Sequence, residues 1–187
     1  MSIREIRIAG FGGQGVVLSG QIVGQAASIF DGGYSTFTQS YGPEARGGSC
    51  AAELVISDEP IGYPYVRNPD VVIILSQEAY AKYSGGLSPG ALMIIDPDLV
   101  NPDPAQAPQP LAVPANRMAR ELGRVVVANI ITLGFLAAVS DILPLEALKK
   151  SVLTSVPKGT EEFNTKAFEM GYNYGLEHGR PSEGSGG

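Results

Sequence analysis

Ile3–Ala9 alternates apolar and charged positions and then becomes apolar, the pattern of a strand. Gly10–Gly15 follows as a turn, and Gln14–Phe30 then carries apolar residues at helical spacing. Gly20 and Gly24 lie four apart on that helix. Glycine weakens a helix by propensity, so this pair predicts close packing of the helix against a sheet. Asp31-Gly32-Gly33 ends the helix, and Tyr34–Gln39 is a β-rich second strand. Ser40–Ser49, with three glycines and a proline, reads as a loop. Cys50–Ile56 reads as a third strand and Asp58-Glu59-Pro60 as a turn.

Val71–Leu75 and Ala91–Ile95 are short all-apolar runs, which suit strands buried on both faces. Between them Gln77–Tyr83 predicts a helix, with turns at Gly85-Gly86 and Pro89-Gly90. Asn101–Pro110 holds four of the fourteen prolines and reads as a polar, extended connector. Beyond it come a short strand at Leu111–Pro114, a helix at Asn116–Leu122 and a helix at Ala128–Val139 that is apolar nearly all round. This last helix is read as core rather than as a subunit contact. Pro144 suits the start of a helix reaching about Val156, and Thr160–Glu177 is the final helix. Strands alternating with helices predict one three-layer α/β/α, Rossmann-like domain over residues 1–180. Its sheet is largely parallel, with helices at the C-terminus and a flexible tail at 181–187. The third strand follows the second without a helix, so part of the sheet is expected to be antiparallel and the sheet mixed.

Composition narrows the chemistry. With 187 residues, 44% apolar and 17% charged, the chain reads as globular. The net charge of −6 and the absence of a Lys/Arg cluster argue against nucleic acid as a partner. Before Lys82 the only cations are Arg4, Arg7, Arg46 and Arg67. A single cysteine, Cys50, cannot make an internal disulfide or hold a cluster or a structural zinc; it reads as a small buried apolar residue. A single histidine, His178, makes a Ser-His-Asp triad, a Cys-His pair and a His-rich metal site improbable. The longest apolar stretch, Val125–Val139, contains Asn129 and Thr132 and is shorter than the roughly 20 residues of a membrane span. The first residues go straight into a strand pattern without a signal peptide. A soluble, cytoplasmic protein is therefore expected, with no membrane partner.

Two loops carry the candidate chemistry. Gly10, Gly12 and Gly15 fit G-x-G-x-x-G between a strand and a helix. Bare backbone can approach a phosphate there, and free N–H groups at a helix start favour an anion; a tight turn with no ligand fits the same residues. A dinucleotide site wants an acid at the end of the second strand. That strand ends near Thr38-Gln39-Ser40, and Asp31 lies before it. A stand-alone NAD- or flavin-binding oxidoreductase is thus the weaker alternative. Val16 and Val17 replace the Lys and Ser/Thr of a Walker A loop, which disfavours nucleotide hydrolysis. The second loop, Ser40–Gly48, should share a crevice with the first, because loops at the carboxyl ends of neighbouring strands do so. In it Arg46 is the only cation near either loop, and its planar fork suits a phosphate. Arg46 could instead pair with Glu44. Tyr41 could stack on a ring or merely cover the loop. The candidate ligand set is Gly10, Gly12, Gly13, Gln14, Gly15, Ser40, Tyr41, Gly42, Arg46, Gly47 and Gly48. No metal ligand and no catalytic side chain is assigned. Glu44, Asp96 and Asp98 read as surface or turn residues.

GFGGQG (Gly10–Gly15), TQSYGPEARGG (Thr38–Gly48), SQEAY (Ser76–Tyr80) and ANIITLG (Ala128–Gly134), in this order, resemble the gamma subunit of 2-oxoacid:ferredoxin oxidoreductases. Within that family TQSYGPEARGG looks most like the 2-oxoglutarate members. The resemblance runs from about Ile3 to Ala138; beyond Lys149 the chain is read by pattern only. It implies a holoenzyme that decarboxylates a 2-oxoacid on thiamine diphosphate and passes electrons through iron–sulfur clusters to ferredoxin. The acyl group goes to coenzyme A. Thiamine diphosphate, Mg and the clusters are implied only for the alpha, beta and ferredoxin-like delta partners. The gamma chain is implied to help bind coenzyme A as co-substrate and to complete the active site, without activity alone. A scaffold subunit that binds no ligand is the remaining alternative.

Overall fold

A computed structural model of the chain describes residues 3–42 and 48–179. In chain order the elements are β1 (Arg4–Phe11), α1 (Val16–Gln25), β2 (Tyr34–Tyr41), β3 (Ser49–Ser57), β4 (Val71–Ile74) and α2 (Gln77–Tyr83). They continue with β5 (Leu92–Ile95), β6 (Leu111–Ala112), α3 (Ala115–Glu121), α4 (Ala128–Val139), α5 (Leu145–Ser155) and α6 (Glu161–His178). The helix expected to reach Phe30 does so, but Ala26–Phe30 is wound as a π-helix. Both β1 and β2 run two residues past their expected ends, so Gly10 and Phe11 belong to a strand and the first turn shrinks to its last four residues.

The six strands form one sheet in the order β2-β3-β1-β4-β5-β6. β3 is antiparallel to both neighbours, while β1, β4, β5 and β6 are mutually parallel. Five strands therefore point one way and only β3 opposes them, which is the mixed, largely parallel sheet expected. One expectation needs correcting: β1 and β2 are not neighbours. The hairpin of β2 and β3 inserts β3 between them, with Phe11 opposite Ser49 and Tyr41 opposite Cys50.

The alternation in β1 sorts the two faces. Ile6 and Ile8, with Ala52 and Leu54 of β3, face the larger core beneath α1, α3, α4, α5 and α6. Ala9, Ala51, Val72 and Ile74 face a smaller core closed by α2. The all-apolar runs of β4 and β5 are buried on both faces for this reason.

Missing side chains set the helix spacing. A Cβ on Gly20 would stand 2.6 Å from the Phe37 ring and 2.8 Å from the Ala52 Cβ, so α1 lies directly on β2 and β3. α4 is core, as expected: Ile131, Leu133, Phe135 and Leu136 are fully buried. Its packing against α6 is closer than the apolar pattern alone implied. A Cβ on Gly134 would overlap the Phe168 carbonyl, and one on Gly171 the Ile131 carbonyl. None of the described helices is long and apolar enough to cross a membrane.

Candidate ligand site at the sheet rim

Both glycine-rich segments lie at the rim where β1, β2 and β4 end. They meet there: the Gly12 N–H donates to the Gly48 carbonyl at 2.9 Å, while the Gly42 N–H donates to the Ser49 carbonyl at 2.7 Å and extends the β2–β3 pair. The intervening start of β3 makes this possible, since its antiparallel course brings residue 48 to the end of β1. Pro43, Glu44, Ala45, Arg46 and Gly47 fall outside the described residues, so the assignments to Arg46 and Gly47 stay at the level of the sequence.

The first turn is held from within. Gln14 Oε1 accepts the Phe11 N–H at 2.6 Å, and Gln14 Nε2 donates to the Leu75 carbonyl at 2.8 Å. One side chain thus ties the turn to the end of β4. Gly10 lies under it, leaving no room for a Cβ beside Gln14 and Leu75. Gly15 takes φ 74° as the N-cap of α1 and provides no side-chain cap. No acid stands in the first turn of α1. The Val16, Val17 and Leu18 amides have no acceptor among the described residues, and the first bond of the helix is Ser19 N–H to the Gly15 carbonyl. A helix start with free N–H groups and a bare loop attracts an anion.

The two segments open on different faces of the sheet. Gly13 and Gln14 line a cavity of about 240 Å³ together with Leu75, Asn116, Asn129, Thr132 and the exposed pair Val125 and Val126. This is the crevice between β1 and β4, where the chain sends α1 to one face and α2 to the other, the position at which open α/β sheets bind ligands. Ser40, Tyr41, Gly42 and Gly10 line a smaller pocket of about 80 Å³ on the α2 face, with Glu78, Lys82 and Tyr83. Tyr41 is 64% exposed.

Several residues stand differently from their sequence reading. Lys82 borders the second segment, so Arg46 is not the only cation close to it; Lys82 is 41 positions beyond Tyr41 in sequence, and only the position of α2 over β1 brings it there. Asp96 is no surface acid but fully buried. Its carboxylate accepts from the Asp98 N–H at 2.9 Å, the Asn116 N–H at 2.9 Å and Asn116 Nδ2 at 2.8 Å, fixing the start of α3 beside the cavity. Asp98 pairs with Arg117. Cys50 is buried in the larger core, where desolvation pushes its thiol above the usual range. Asp31 lies at the opposite rim with Arg4 and Gly33, far from the glycine turn, as its place before β2 implied. Asn129 and Asn116 complete the cavity and were not singled out in sequence; Asn129 stood inside a quoted motif with no signal of its own.

A glycine turn at the reversal point of a mixed sheet with helices on both faces defines a Rossmann-like α/β fold. Residues 5–174 match the pyruvate ferredoxin/flavodoxin oxidoreductase family, and the chain belongs to it. Its type is that of the gamma subunits. It is 46% identical over 177 residues to 2-oxoglutarate synthase subunit KorC of Methanocaldococcus jannaschii, covering 93% of this chain and 95% of that one. It superposes on the keto/oxoacid ferredoxin oxidoreductase gamma subunit of Geobacter sulfurreducens with a TM-score of 0.84 and 38% identity, covering 95% and 99% of the two chains. The same fold occurs in 2-oxoglutarate:ferredoxin oxidoreductase from Magnetococcus marinus, solved with 2-oxoglutarate, coenzyme A and succinyl-CoA bound. There the TM-score is 0.82 at 22% identity, and the match covers 95% of this chain and 32% of that one.

Proposed function

We propose that this chain is the coenzyme A-holding gamma subunit of a multi-subunit 2-oxoacid:ferredoxin oxidoreductase whose oxoacid is 2-oxoglutarate. The observation that carries the reading is the Gly12–Gly48 hydrogen bond at 2.9 Å, which joins both glycine-rich segments at one rim. Anionic groups of the ligand would meet the free amides of α1 on one side, with Arg46 and Lys82 near the second segment. The family and the KorC relatives support the choice of enzyme and oxoacid. The Magnetococcus enzyme, solved with coenzyme A bound, supports coenzyme A as a ligand of the complex to which such a chain would contribute.

In that enzyme, thiamine diphosphate with Mg would supply the decarboxylation chemistry and iron–sulfur clusters the path to ferredoxin. Both belong to alpha, beta and ferredoxin-like delta partners. The role of this chain is to bind and orient: its backbone N–H groups hold phosphate oxygens, and the narrow crevice directs the rest of the carrier towards the partner subunits. It carries out no turnover by itself, and the complex works in the cytoplasm.

Reconstitution tests this. Alpha, beta and delta subunits assembled with this chain should reduce an acceptor dye in the presence of 2-oxoglutarate and coenzyme A. Full activity with an unchanged KM for coenzyme A in its absence would refute the reading. Arg46→Ala should raise that KM about tenfold or more, the loss of a charge-assisted hydrogen bond, while assembly stays intact.

A further inference from the structure

β2 is a free edge of the sheet, and two bonds give the direction of its backbone groups. The Gly12 N–H donates to the Gly48 carbonyl and the Gly42 N–H to the Ser49 carbonyl. In an antiparallel ladder the bonded pairs alternate, so Ser49 and every second residue of β3 after it bond β2, and the others bond β1. Through the register, Tyr34, Thr36, Thr38 and Ser40 are the residues of β2 that exchange bonds with β3. Ser35, Phe37, Gln39 and Tyr41 aim their N–H and C=O groups away from the sheet, where no further strand lies. Those groups have no hydrogen-bond partner among the described residues.

Such an edge is a template for another strand, and proteins usually blunt it with lysine, proline, a bulge or a short length. β2 uses none of these. It runs eight residues, YSTFTQSY, pairs with β3 in unbroken register, and has neither charge nor proline. Its surroundings are neutral as well. Between Ile8 and Gly42 the only charged residue is Asp31, in a chain that is 17% charged. Gln21, Gln25, Ser28 and Ile29, the exposed positions of α1 and of the π-helical turn after it, are uncharged. Ile29 is 66% exposed and Tyr34 47%. Depletion of charge around exposed aromatic and aliphatic side chains marks the centre of a protein interface.

Charge and symmetry select the occupant. A net charge of −6 sets two copies of the chain against each other, which favours contact through a strip that has no charge on either copy. A half-turn about an axis perpendicular to the sheet sets β2 antiparallel beside its own copy, donor against acceptor, with both α1 helices on the same face. We propose that the free edge of β2 joins two copies of this chain into one continuous sheet. The two glycine-rich rims then point in opposite directions and both stay open, so the pairing is independent of the coenzyme A reading.

The test uses the purified full chain. Sedimentation measures its mass across a concentration series, and residue-resolved hydrogen exchange measures the edge. A dimer is expected, in which the Phe37 and Gln39 amides exchange at least about tenfold more slowly than in the diluted monomer. Gln39 is exposed. Gln39→Pro removes one outward N–H without touching a bond to β3, and Gln39→Lys sets like charges across the axis. Both variants should be monomeric with unchanged circular dichroism; should the proline variant fold poorly, the lysine variant and the exchange data still read the interface. A chain that is monomeric at every concentration, with these amides exchanging freely, overturns the proposal. Folded variants that stay dimeric also overturn it, because the contact then lies elsewhere. Protection that appears only in the assembled oxidoreductase assigns the edge to a strand of another subunit and rules out self-pairing.

Discussion

Gln14 Nε2 donates to the main-chain carbonyl of Leu75 across 61 residues of sequence, at 2.8 Å. That bond ties the first turn to the end of β4 at the crevice between them. The residue that looked like a ligand contact from its place in the motif is thus also the clamp that shapes the site.

Replacing the clamp tests this role. In Gln14→Glu the donor to Leu75 becomes an acceptor facing an acceptor, while the bond from Phe11 survives. A loss of about 1–3 kcal/mol is expected, equivalent to a fall of roughly 2–12 °C in melting temperature for a chain of this size. An unchanged melting curve would show that the turn is held by other contacts.

Gly15 and Gly13 form a matched pair. Both have positive φ, 74° and 94°, but only Gly15 is crowded, by Asn129, while nothing lies within 4 Å of a Cβ on Gly13. Gly13→Ala should therefore cost only the backbone strain of about 1–2 kcal/mol. Gly15→Ala should cost clearly more, because Asn129 must move as well. Equal chemical-denaturation midpoints for the two variants would contradict the packing described.

Asp96 should matter for stability rather than for turnover. In Asp96→Ala three N–H groups lose their acceptor; the bonds are part-buried and water can replace some of them, so the variant should lose about 1–3 kcal/mol. Asp96→Asn keeps one acceptor oxygen and should fall between. Urea unfolding followed by circular dichroism measures both.

Cys50 gives a pH signature. Burial raises its thiol pKa above the ordinary value of 9.0, so the folded chain holds that proton more tightly than the unfolded one. The corresponding stability is fully present below pH 9.0 and is lost as pH rises from there through the folded-state value. Cys50→Ala should flatten this alkaline decline, and the thiol of the folded protein should react slowly with iodoacetamide at neutral pH. Rapid alkylation of folded protein would contradict its burial.

Much of this was legible in the sequence because it is local. Period-two and period-3.6 patterns placed the strands and helices, since each element must turn one set of residues towards a core. The limits of α2 and α4 matched to the residue, and the structure shows Ser76 capping α2, its hydroxyl accepting the Ala79 N–H. Gly20 and Gly24 announced a close helix–sheet contact, because nothing else justifies glycine there. The two loops were expected at one rim and in one crevice because each follows a strand; the rim holds, but β3 separates the two strands and the loops open on different faces.

What the sequence by itself determined, then, is the set of elements, the mixed α/β class and the rim that carries the glycine turn. Tertiary structure alone decided that β3 lies between β1 and β2, that the two loops open on opposite faces, and that Lys82, Asp96 and Asn129 stand around them. Those facts depend on contacts between residues distant in the chain. Strand order, and the burial of one carboxylate or one amide, follow from the free energy of the whole packing, and no local pattern encodes them.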